Sequence, residues 1–263
     1  TMTYGQAFFW VKLLCVMLPS ALLLVFLNRR LLAMGVDRAW ADLLTLVYAA
    51  GTLAFSFSTL FFGHQLSAVL LFGAFLLLSS DDWRPTHARA AAAGLMLGHA
   101  VITEYPDAVA AAIIGGVFLT RAQNWRRLPV LLVVGAVPVL LAMCYNNACF
   151  GGPLAPGYEA HSNKFFREMH AQGFFGLTWP KPEAARELLV NPAIGLFAFS
   201  PVLLLWVPGI FAMAWRNVDR SLAVCLALPA AHFFLMTSFE YWMSGGTVGP
   251  RHLTPIVPFM IVP

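Results

Sequence analysis

Residues 8–27, FFWVKLLCVMLPSALLLVFL, and residues 129–143, PVLLVVGAVPVLLAM, are continuous apolar runs in which Lys12 is the only charge. Neither alternates polar and apolar positions as a barrel strand does. Inside a bilayer every backbone N–H and C=O of such a run must be satisfied within the segment, so both read as membrane helices. The composition agrees, with 60% hydrophobic and 11% charged residues and a mean hydropathy of +0.75. An ordinary soluble domain carries about 25% charged residues.

Working outward, comparable windows occur at 7–27, 41–61, 64–80, 89–103, 106–120, 128–147, 193–215, 221–243 and from 253 onward. They predict an all-α, polytopic transmembrane helical bundle of about nine spans, each near the 20 residues a crossing needs. The segments at 89–103 and 106–120 are short and are expected to form a hairpin with TEYPD at its tip, because Pro106 disfavours helix at Tyr105. Loops 28–38, 80–89, 121–127 and 216–220 hold ten of the sixteen Lys and Arg residues and are assigned to the cytoplasmic side. The alternate connections then fall outside, including 149–191, the one sizeable non-membrane piece of this single transmembrane domain (1–263). Within it, PKPEAARELL has proline at a helix start and an early acid, the pattern of a short amphipathic surface helix, and NKFFREMHAQGFF is a candidate second one.

The net charge of +4 comes from basic residues scattered at the ends of apolar runs, a topology signal that does not point to nucleic acid. The four cysteines lack the paired spacing of a zinc site or a disulfide framework, and no metal ligand or cofactor is assigned. No GxSxG, HExxH, Walker or dinucleotide fingerprint occurs. The first apolar run has no basic leader or cleavage site. The chain begins without methionine and stops partway into an apolar run, so it is expected to be an internal piece of a longer protein.

Polar residues gather in the outer connections: His64, Glu104, Tyr105, Asp107, Asn146, Asn147, Glu240, Trp242, Arg251 and His252. Anchors and caps account for most such residues taken singly, but Arg251 and Glu104 stand out, because a charge kept at a membrane edge is costly without a partner. Arg251 lies in a glycine-rich break, SGGTVGPRH, and the leading ligand for it is the phosphate of a lipid-linked substrate. His99 and His232 fall within helices, where an interhelical hydrogen bond is the ordinary role. Gly94 and Gly98 form a GxxxG pair that predicts close helix packing.

Five stretches, residues 51–78, 91–116, 145–158, 191–209 and 241–259, the last reading YWMSGGTVGPRHLTPIVPF, resemble signatures of bacterial GT-C-type membrane glycosyltransferases. That class is similar to protein mannosyltransferases and lipid A aminoarabinose transferases. The resemblance implies a polyprenyl-phosphate sugar as donor and an active site at the outer face of the bacterial cytoplasmic membrane. It also implies inverting transfer with an acidic general base. Arg251 matches the cation of the GPR element and would bind the lipid phosphate. Glu104, His64 and His252 would line the same pocket, with Tyr105 and Trp242 as candidate sugar-stacking surfaces. The class carries its catalytic carboxylate in the first outer loop, so that base is expected upstream of Thr1. The alternatives from other classes are a transporter or flippase for a lipid-linked substrate and a non-catalytic membrane scaffold.

Overall fold

The computed structural model describes residues 3–155, 157, 162–174, 176–215, 220–243 and 247–263. Parts of the loops expected at 216–220, 149–191 and 244–251, including Arg216 and Glu159, lie outside them. Among the described residues the chain is helical throughout, with only isolated bridges between extended segments.

The first helix, α1 (Tyr4–Ala33), starts at a capping box in which the Thr3 hydroxyl accepts from the Gln6 N–H and the Gln6 side chain accepts from the Thr3 N–H. It widens to a π turn at Leu13–Met17, next to Pro19, which has no N–H to offer the turn below. Helices α2 (Arg38–Gly51) and α3 (Leu53–Thr59) meet at a 61° bend at Thr52. Side chains replace the hydrogen bonds lost there: Thr52 Oγ1 donates to the Tyr48 carbonyl at 2.7 Å, and Ser200 Oγ accepts from the Leu53 N–H at 3.1 Å. Ser58 and Thr59 also donate to the carbonyls of Phe55 and Ser56 at the end of α3.

Next come α4 (Gly63–Trp83), α5 (His87–Thr103), α6 (Asp107–Leu119) and α7 (Leu128–Phe150). After α8 (Lys164–His170) and α9 (Pro182–Val190), the chain runs through α10 (Leu196–Phe199), a 3-10 turn at Pro201–Leu205, α11 (Trp206–Trp215) and α12 (Arg220–Thr237). A 3-10 turn at Arg251–Ile256 leads into α13 (Val257–Ile261), which is buried at every position. Helix α9 forms where the sequence places it, with Pro182 at its start and Ala184 and Leu188 turned inward.

Among the described residues four helices, α1, α4, α7 and α12, are long and apolar enough to cross a membrane, and the bent pair α2–α3 makes a fifth if it is counted as one span. The remaining windows form shorter pieces, for reasons visible in the chain. Pro106 separates α5 from α6, which at 13 residues falls short of the roughly 20 a crossing needs. Pro201 breaks the window at 193–215, and Pro255 lies in the 3-10 turn that opens the last one. Large apolar side chains cover the outward faces of the long helices, among them Leu14, Leu22 and Phe26 on α1 and Leu132, Val133, Leu140 and Leu141 on α7. Such continuous exposed apolar surface suits hydrocarbon and is rare against water.

Helices α5 and α7 touch backbone to backbone. A Cβ at Gly98 would lie 1.9 Å from the Gly135 carbonyl oxygen, one at Gly94 2.2 Å from that of Leu131, and one at Gly135 2.8 Å from that of Gly94. The GxxxG pair is thus a close-packing surface.

The basic loops meet at one end of the bundle. Arg30 donates to Ser221 at 2.8 Å, Arg220 to Thr120 at 2.8 Å, Arg89 pairs with Asp81 and Arg121 with Asp82. Asp81, Asp82 and Trp83 turn the chain there with φ of 49°, 54° and 60°. The turn is pinned by Asn124, fully buried, whose amide donates to the carbonyls of Trp83 at 2.9 Å and Phe118 at 2.8 Å. The four cysteines are free, three of them on the surface.

Two substitutions test these contacts by thermal unfolding in detergent. Gly98→Leu forces a side chain into a backbone and should destabilise by at least the ~1–3 kcal/mol of an overpacked core; an unchanged Tm would mean that α5 and α7 do not touch. Asn124→Ala leaves two buried carbonyls without their donor and should cost about 1–3 kcal/mol, whereas a neutral effect would place Asn124 at the surface.

Candidate functional site

At the end of the bundle opposite the basic loops, α5 stops and α6 begins. Glu104 caps α5, its N–H donating to the Ala100 carbonyl at 2.9 Å, and Asp107 opens α6, where the helix N-terminus favours an acid. Helix α4 starts beside them with His64, also at a helix N-terminus. Gly63 lets the chains approach, since a Cβ there would lie 2.9 Å from Glu104 Oε1. The 3-10 turn after Pro250 brings Arg251 and His252 to the same place.

The far wall comes from the segment after α8. Thr178 N–H donates to the Ser238 carbonyl at 2.7 Å, Lys181 N–H to Thr237 at 3.0 Å, and Glu240 N–H to Gly176 at 2.7 Å, which ties the segment to the end of α12. Lys181 pairs with Glu240 across the same junction. Between this wall and the α5–α6 tip lies a cleft of about 470 Å³. Glu104, Tyr105, Arg251 and His252 line one side, and Phe166, His170, Phe174, Leu177, Phe239 and Tyr241 line the other. Its surface is therefore mostly apolar and aromatic, with a few polar groups converging at one end, the usual make-up of a small-molecule site.

Arg251 packs its guanidinium over the Phe62 ring at 5.4 Å, and its Nε is buried without a hydrogen bond among the described residues. The acids nearby are engaged elsewhere: Glu104 Oε1 lies 2.9 Å from His64 Nδ1, and Glu240 holds Lys181. Among the described residues Glu104 forms no salt bridge with Arg251. Burial first, and then the neighbouring His64 and Arg251, push the imidazole of His252 well below the usual histidine range, so it stands in the cleft as a neutral base.

A run of ring contacts joins the two sides: His170 to Phe239 at 5.9 Å, Phe239 to His252 at 5.8 Å, and His252 to His64 at 4.9 Å. Behind them His232 donates through Nε2 to the His252 carbonyl at 2.9 Å, the interhelical bond expected of a helix histidine. His232 Nδ1 lies 3.8 Å from Asp107 Oδ1, and Asp107 is fully buried. His99 instead faces outward on α5.

Of the six candidate residues, Glu104, Tyr105, Arg251 and His252 share the cleft, and His64 sits directly behind Glu104. Trp242 packs against the core, and its neighbour Tyr241 lines the cleft in its place. Sequence reasoning also missed His170 and Phe239. The signal was the aromatic run Phe239–Trp242, read at Trp242 and not at its neighbours, and an α8 whose histidine falls in its last turn.

No family model matches the chain, and searches of curated proteins and of solved structures returned no match either.

Proposed function

We propose that the cleft binds a lipid-linked anionic substrate, a polyprenyl-phosphate sugar, and that the protein serves in GT-C-like sugar transfer at the outer face of a bacterial cytoplasmic membrane. In this reading the shorter helices complete a bundle of nine crossings around it. The observation that carries the proposal is Arg251: a guanidinium at the edge of an apolar cleft, with no ion pair to an acid among the described residues. An uncompensated cation beside apolar walls suits a ligand with a phosphate head and a hydrocarbon tail. Phosphate oxygens would take the guanidinium fork, and the aromatic walls at Tyr105, Phe166 and Tyr241 offer faces on which a sugar ring can stack.

His252 and Glu104 then contribute further polar groups at the same end of the cleft, beside the Arg251 guanidinium. His64 would orient Glu104 from behind. Membrane lipid surrounds the bundle and is the medium through which such a donor arrives.

Arg251→Ala should weaken binding of a polyprenyl phosphate about tenfold to a hundredfold, the loss of a charged hydrogen-bonding group worth ~1.5–3 kcal/mol. Binding of the uncharged polyprenol should be unaffected, and Arg251→Lys should recover part of the difference. Native mass spectrometry of the protein in detergent, titrated with each lipid, reads all of these. Equal affinity of wild type and Arg251→Ala for the phosphate would rule the assignment out.

A further inference from the structure

Beside the cleft, and sharing Glu104 and His252 with it, is a void of about 10 Å³ bordered by His64, Glu104, Asp107, His232 and His252. That is the size of a single water or ion. Ligand atoms of His64, Glu104 and His252 all lie within 4.8 Å of one another. His64 Nδ1 and Glu104 Oε1 are 2.9 Å apart, yet His64 Nδ1 makes no hydrogen bond, and neither does the buried Nε2 of His252. Two polar atoms this close, not aligned for a hydrogen bond, are placed to share a third partner.

We propose that His64, Glu104 and His252 hold a divalent transition-metal ion of the zinc class. Two imidazoles and one carboxylate are a donor set that such ions take with three protein ligands, keeping a further position open. Donors on one ion stand about 3.0–3.5 Å apart for bonds of ~2.0–2.2 Å, so side-chain adjustments of roughly an ångström close the site around it. Charge is compatible as well. Glu104 brings one carboxylate to the dication, and Asp107 borders the same void, fully buried beside His232. His232, through its bond to the His252 carbonyl, fixes the backbone that carries one ligand, the kind of support metal ligands receive from their surroundings. The open position faces the cleft, because Glu104 and His252 line both spaces.

The proposal stands on donor geometry and does not depend on what the cleft binds. Its test is the metal content of the purified full chain in detergent, loaded with zinc or cobalt(II), passed over a desalting column and measured by mass spectrometry. The wild type should retain about one ion per chain, and its cobalt(II) form should show visible d–d bands without a thiolate charge-transfer band. His64→Ala, Glu104→Gln and His252→Ala should each lower retention at least tenfold, whereas His99→Ala should leave it unchanged. Wild type should also melt higher with zinc and lower after a chelator. That shift keeps the test decisive if a variant fails to fold. A wild type that retains no ion and shows no zinc-dependent shift overturns the proposal, as does full retention in the three folded ligand variants. Failure here leaves phosphate binding by Arg251 standing, and loss of phosphate binding alone leaves the metal site standing.

Discussion

Backbone contact between α5 and α7 at Gly94, Gly98 and Gly135 is the constraint on which the site depends. Helices in an apolar medium gain little from hiding apolar side chains, so close approach through small residues is a main source of attraction. Fixing α5 against α7 fixes where α5 ends, and Glu104 caps that end. From there Pro106 turns the chain, Asp107 opens α6, and α4 delivers His64 alongside.

The two ends of the bundle handle charge differently. At the basic end Arg89 and Arg121 pair with aspartates, and Arg30 and Arg220 donate to hydroxyls. At the cleft end the pairs form around Arg251 without including it. Glu104 turns to His64 and Glu240 to Lys181. Arg251 thus keeps its charge beside apolar walls, which supports reading the cleft as an anion site.

Helix class and the gathering of polar residues at one end were legible because continuous apolar runs admit one solution and because basic loops alternate with polar ones along the chain. The GxxxG contact was legible from spacing alone. Span number was not, since windows of similar hydropathy hide prolines whose effect depends on neighbours: Pro19 and Pro138 are absorbed within long helices, while Pro106 and Pro201 end theirs. Pairings over long sequence separation were equally hidden. Nothing in residue order joins His64 to Glu104, or tells that Tyr241 lines the cleft while Trp242 turns to the core. Likewise His64, Glu104 and His252 come from three separate elements, so no spacing rule for metal ligands could have found them.

The wall formed by the segment after α8 is attached by main-chain hydrogen bonds from Thr178, Lys181 and Glu240. Such bonds use atoms common to every residue type, so the separation of the two walls does not depend on which side chains occupy them. Phe174 and Tyr241 face the cleft and contribute no side-chain atom to these bonds. A cleft built this way can change what it accepts through single substitutions, each altering shape or polarity locally, while its width and the position of Arg251 are inherited from the backbone.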